Sequence, residues 1–191
     1  MKRQMSQVLV FLYLVLQMYI CVTDLFSQQQ QNISYVGVKN CNCHNSLSRG
    51  KQIDVWKQSK HSNAYKTLMT DSASVFAKNI GLKSSANNSN ECIVCHTTGS
   101  KDYITKNFPV EEGVICESCH GAASLWRNIH KRWNKKADAI EAGLILINLT
   151  DYTKPTIEQG CRKCHNENSP TYKKFDFDEY WAKINHPTPQ K

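Results

Sequence analysis

Glycine and proline are scarce in this 191-residue chain, which has 8 and 5 of them, and no long alternation of apolar with polar residues runs through it. The first shortage leaves few tight turns and the second leaves no half-buried sheet. The expected content is therefore mainly α with little or no β-sheet, built of helices joined by long loops. Repeats are absent outside four short motifs, and low-complexity sequence is confined to the glutamines at 28–31. Apolar side chains are also in short supply once the N-terminal stretch is set aside. The remainder is long enough for one domain but too polar to build a large conventional core. Nothing marks a paired acid and base or an activated nucleophile, so an enzyme function would need some other reactive centre.

The first residues read as an export signal. Lys2 and Arg3 precede an apolar stretch over residues 8–22 (VLVFLYLVLQMYICV), and the polar glutamine tract follows. This is the layout of a signal peptide over residues 1–27, with cleavage near Ser27, and it implies a periplasmic or extracellular protein. An uncleaved anchor is the alternative, because the stretch with its flanks approaches the roughly 20 residues needed to span a bilayer. Membrane contact is expected only in that case. Cys21 follows the bulky Met18, Tyr19 and Ile20, so it does not read as a lipid-bearing cysteine and is expected to leave with the signal. Residues 28–40 then form a flexible leader, and 41–191 form the functional domain.

That domain carries every other cysteine in a distinctive setting. Four times a cysteine pair runs directly into histidine: Cys41-Asn-Cys43-His44, Cys92-Ile-Val-Cys95-His96, Cys116-Glu-Ser-Cys119-His120 and Cys161-Arg-Lys-Cys164-His165. Paired cysteines alone fit zinc ribbons or disulfides, but neither requires the histidine. With 7 histidines in the chain, four such placements by accident have odds on the order of one in several hundred thousand. Two thiols separated by two residues can add to the two vinyl groups on one edge of a porphyrin, and the adjoining histidine then reaches the iron. The motifs thus point to four covalent haem c groups, attached through Cys41, Cys43, Cys92, Cys95, Cys116, Cys119, Cys161 and Cys164, with His44, His96, His120 and His165 as iron ligands. The fold expected is a small multihaem cytochrome c, its helices and long loops wrapped around four closely packed haems. The porphyrins replace the missing apolar core, and the apoprotein should be largely unfolded.

The formal charge of +8 invites a nucleic-acid reading. Loss of the signal leaves about +7, and haem propionates outweighing ferric centres bring the holoprotein to about +3. Nucleic acid is not an expected partner. Lysines such as Lys131, Lys135 and Lys136 are better read as solvated partners of propionates or as a docking surface for an acidic redox protein.

Four histidines serve as proximal ligands, leaving His61, His130 and His186 for four sixth positions. His61, Tyr65 and Leu68 share one face of an expected helix from 54 to 69. His130 follows Trp126 by four residues and precedes Trp133 by three, on a helix continuing from motif three. His186 ends a stretch capped by Asp178 and stopped by Pro187. One iron must bind something else or stay open. Met69 is the one methionine outside the signal, but it lies about 80° around the helix from His61, so core filling suits it better than ligation.

The order of motifs and spare histidines resembles the tetrahaem cytochrome c-554 family. Local strings carry the same resemblance: Tyr35-Val-Gly37, His61-Ser-Asn-Ala64-Tyr65, Gly113-Val114-Ile-Cys116-Glu117-Ser-Cys119-His120-Gly121, and the run from Ser169-Pro170 through Phe175-Asp176 to His186-Pro187. It covers nearly all of the chain after the signal. The resemblance implies that His130 is the sixth ligand of haem one (His44), His186 of haem three (His120) and His61 of haem four (His165). It also implies that haem two, on Cys92, Cys95 and His96, is five-coordinate. Stacked haem pairs that pass electrons from hydroxylamine-type oxidation to other cytochromes are part of the same implication.

The departure from that pattern is motif one, where Asn40 stands at the place of the first cysteine. Either Cys41 reaches its vinyl through a tighter turn, or it stays free and one thioether forms, or haem one is lost altogether. The function expected is electron carriage between redox proteins, cytochromes or oxidoreductases, through mostly bis-histidine haems. Two alternatives stand beside it. One is reduction of nitric oxide or another N-oxide at the open haem. The other is service as a subunit of a haem filament or larger redox complex, in which oligomerisation brings a ligand from a neighbour.

Overall fold

The computed structural model describes residues 15–18, 33–99, 108–132, 134–147 and 154–186. The chain divides into two compact units, Met1–Ile33 and Ser34–Lys191. In the first, residues 15–18 form an exposed helical turn. The remainder of the expected signal peptide, with Cys21 and the cleavage point near Ser27, lies outside the described residues. So do the start of the leader, Trp133 and Pro187.

The second unit is helical, and no strand occurs among its described residues. Its α-helices are α1 Gln52–Gln58, α2 Ala64–Thr67, α3 Asp71–Asn79, α4 Asn90–His96, α5 Glu117–His120, α6 Arg127–His130, α7 Lys136–Glu141, α8 Lys154–Cys161 and α9 Phe177–Ile184. All are short, and local chemistry explains several of the breaks. The helix expected over 54–69 is instead α1, a 3-10 turn His61–Asn63, and α2. Ser59 is extended, and the Ser62 hydroxyl bonds the carbonyls of Lys57 (3.0 Å) and Ser59 (2.9 Å), offering the backbone an alternative to helix. Nor does motif three continue into the helix of His130. Gly121, at φ +81, ends α5, and a Cβ there would lie 2.6 Å from the Gly143 carbonyl oxygen. At α9 the cap is Asp176, which accepts from the Glu179 N–H at 3.0 Å, and Asp178 pairs instead with Lys154 at 2.5 Å.

Among the described residues, burial is divided among four small clusters. Val38, Ile53, Phe108 and Ile115 form one, with Cys116 packed against it. Ala123, Trp126, Ala139 and Leu144 form the second, and Leu68, Ala77 and Ala86 the third, beside Cys92 and Ile93. Ile157, Phe175 and Phe177 form the fourth, beside Cys161. Met69 joins none of them and is 63% exposed, so the core-filling role expected for it is not realised.

The leader departs from expectation from Ser34 onward, because it is docked and not loose. Ser34 and Ser124 exchange hydrogen bonds, the Val38 N–H donates to Glu112 at 2.8 Å, and the N–H groups of Val36 and Gly37 donate to the Glu117 carboxylate. Glu117 is buried and also accepts from the Ala123 N–H at 2.7 Å. Burial pushes this carboxyl above the usual carboxylate range, and the backbone donors pull it back. The residue ties three chain segments together.

Two outcomes follow. Glu117→Gln, which turns an amide N–H₂ toward backbone donors, should lower stability by about 1–3 kcal/mol, read as an earlier guanidinium midpoint; an unchanged midpoint would leave the carboxylate without a structural role. Chain prepared without cofactor should lack cooperative unfolding and near-UV circular dichroism, because four small clusters offset too little conformational entropy. A sharp thermal transition in such a sample would contradict that.

Candidate functional site

Motifs three and four are each wound as one α-turn. The His120 N–H donates to the Cys116 carbonyl at 2.9 Å and the His165 N–H to the Cys161 carbonyl at 3.0 Å, the bond that closes a turn. Motif two closes α4, so Cys92, Cys95 and His96 fall on one side of it. Motif one differs. It lies in a 3-10 stretch, Val38–Asn45, kinked at Cys41.

The histidines come together in pairs. The rings of His44 and His130 are 6.0 Å apart between centroids and 16° from parallel. Those of His120 and His186 are 6.0 Å apart, and those of His61 and His165 are 6.1 Å apart. Ring contact would bring the centroids closer, and no hydrogen bond joins the rings of a pair. Two metal–nitrogen bonds of about 2.0 Å, with roughly 1.1 Å from each nitrogen to its ring centre, give a separation of about 6.2 Å. The residues therefore fit an iron held between two imidazoles at three places. A cleft of about 120 Å³ bordered by Cys116, Cys119, His120 and His186 opens at one of them. Among the described residues no second imidazole faces His96.

Second partners orient the rings. Nδ1 of His44 meets Gln52 Oε1 at 3.1 Å, Nδ1 of His120 meets the Ile145 carbonyl at 2.8 Å, and Nδ1 of His96 meets the Ala64 carbonyl at 2.7 Å. Each bond commits Nδ1 as the donor and leaves Nε2 to ligate. His165 is held differently, stacked on Phe175 at 4.7 Å and 16°. Burial holds the imidazoles of His44, His61, His120 and His165 below their ordinary value, so they are neutral, as a ligand must be.

The cysteines also neighbour one another across motifs. Cys41 lies near Cys116, Cys119 near Cys161, and Cys164 beside Cys95. None of the eight is in a disulfide. Burial pushes the thiol of Cys41 up to about 12, that of Cys116 to about 11 and that of Cys164 to about 12. Burial thus keeps these groups as neutral S–H at neutral pH. Among the described residues no three His, Cys, Asp or Glu side chains converge on a common metal position. Thr98 joins two motifs: fully buried, its hydroxyl bonds the Ser118 hydroxyl at 2.6 Å and accepts from the Ile115 N–H at 2.7 Å.

Every histidine and cysteine singled out from the sequence falls in one of these arrangements. Gln52, Phe175, Thr98 and Glu117 were not singled out as site residues. Glu117 had one signal, an acid between two cysteines of a motif. Gln52 and Thr98 had none, since their roles arise from chain packing. Of the lysines expected to face propionates or a partner, Lys135 is already paired with Asp138 at 2.9 Å.

No curated protein and no solved structure matches the chain. A protein-family model described as cytochrome c554 and c-prime matches residues 40–121, which contain His61 and the whole of the first three motifs. Over that stretch the chain is similar to the cytochrome c554 and c-prime family, and the match on a helical chain carrying repeated Cys/His motifs supports a c-type cytochrome, an electron-transfer protein with covalently bound haem c.

Proposed function

We propose that this cytochrome is an exported carrier with four haems, one on each Cys/His motif, that passes electrons between other redox proteins. The observation that carries the reading is the set of three imidazole pairs at 6.0–6.1 Å, each joining a motif histidine to one of the three spare histidines. Bound haem c supplies a one-electron ferric/ferrous couple, whose potential is kept low by two imidazole ligands. The chain holds that geometry through Gln52, the Ile145 carbonyl and Phe175, so little rearrangement is needed when the charge changes. Neighbouring thiols support an order of motifs one, three, four and two along the relay. Export is supported by the basic, then apolar, N-terminus and by the oxidising compartment in which cytochromes c are matured. No helix among the described residues is long and apolar enough to cross a membrane. The formal excess of basic residues favours acidic partner proteins.

His96 supports a second reading. Its Nδ1 is committed to the Ala64 carbonyl, and no described imidazole stands opposite it, so the sixth position at motif two is the place where a small molecule such as nitric oxide would bind. This is the one candidate for a reductase activity.

Mass spectrometry of the purified holoprotein should give the chain plus four haems. Electron paramagnetic resonance should show low-spin ferric centres together with one high-spin centre that responds to nitric oxide. His130→Ala should convert one low-spin centre to high spin and leave the others. Entirely low-spin spectra that ignore added ligand would remove the second reading, and fewer than four haems would sink the first.

A further inference from the structure

We propose that motif one holds its haem through a single thioether, at Cys43, and that Cys41 remains a thiol packed against motif three. The inference rests on the four-haem reading above. Residues 38–45 are 3-10 turns joined across a kink at Cys41. Asn40 stands three residues before Cys43, at the place where the other motifs have their first cysteine, and the kink at Cys41 separates the two turns. Asn40 is held there, donating to the Val36 carbonyl at 2.5 Å and accepting from the Arg127 guanidinium. Cys41 departs from the helical path, at φ −106 and ψ 20, and faces a different set of groups: Cys116, Glu117, Arg127 and Glu112. It is half-buried, whereas Cys43 is exposed. Turning Cys41 toward the Cys43 side would require the preceding backbone to rotate. That backbone is fixed by the Val36 and Gly37 bonds to Glu117 and the Val38 bond to Glu112.

The attachment step balances without an external oxidant or leaving group. The Cys43 S–H adds across one vinyl C=C, sulfur bonding to the carbon next to the ring and hydrogen ending on the terminal carbon. The second vinyl stays unsaturated and conjugated with the porphyrin, which moves that haem's reduced absorption band to longer wavelength than a doubly attached haem shows.

Holoprotein denatured, alkylated and digested should carry four haems and one alkylated motif cysteine, which peptide mapping assigns to Cys41. Four haems with no alkylated motif cysteine, or with the label on Cys43, would overturn the single-thioether assignment and leave the four-haem reading standing. Three haems would overturn both. Cys41→Ser provides a second measurement. It should keep four covalent haems and an unchanged reduced spectrum, whereas a red-shifted band appearing only in the variant would mean that Cys41 had been bonded.

Discussion

An iron between two imidazoles needs its two ligand nitrogens on opposite sides of a flat ring and on one axis. In this chain the three imidazole pairs whose spacing of 6.0–6.1 Å would suit such an iron join segments far apart in sequence: His44 with His130, His120 with His186, and His61 with His165. The rest of the architecture serves that requirement. Helices of nine residues or fewer end where a histidine must turn toward its counterpart, and the polar groups freed at those ends are bonded to side chains such as Ser62 and Thr98. Separate apolar clusters lie beside Cys116, Cys92 and Cys161 in place of one continuous core. A chain organised in this way has its interior interrupted wherever a cofactor belongs.

Glu117 concentrates this logic in one residue. It sits inside motif three, yet its carboxylate receives the backbone of the leader on one side and of Ala123 on the other. The leader in turn delivers motif one. Motifs one and three are therefore held in fixed relation by backbone hydrogen bonds to a single buried side chain, which a point contact between apolar residues would not achieve.

The motifs and the helical class were legible because they depend on local spacing and on residue types with few other uses, whereas which spare histidine stands near which motif came only from the family resemblance. Helix breaks were not. The apolar face shared by His61, Tyr65 and Leu68 is compatible with one long helix, and only the bonds of Ser62 back to Lys57 and Ser59 divide it. The cap at Asp176 was missed for a similar reason, since Asp176 and Asp178 are equal by type and differ in their distance from Lys154. The leader is polar and reads as loose, but its order comes from acceptors some eighty residues away. Met69 illustrates the converse: an apolar residue is assigned inward by composition, and here it has no cluster to join.

The long separations between paired histidines also matter in polymer terms. Once a porphyrin is bonded to its motif, capture of the second histidine is an intramolecular event set by effective concentration. Loop-closure entropy grows only logarithmically, by about 0.6 kcal/mol per doubling of length, so a ligand a hundred residues away is scarcely harder to recruit than one fifty away. Covalent attachment on one face thus frees the choice of ligand on the other. A short chain can draw its opposing imidazoles from whichever segment the packing leaves nearby.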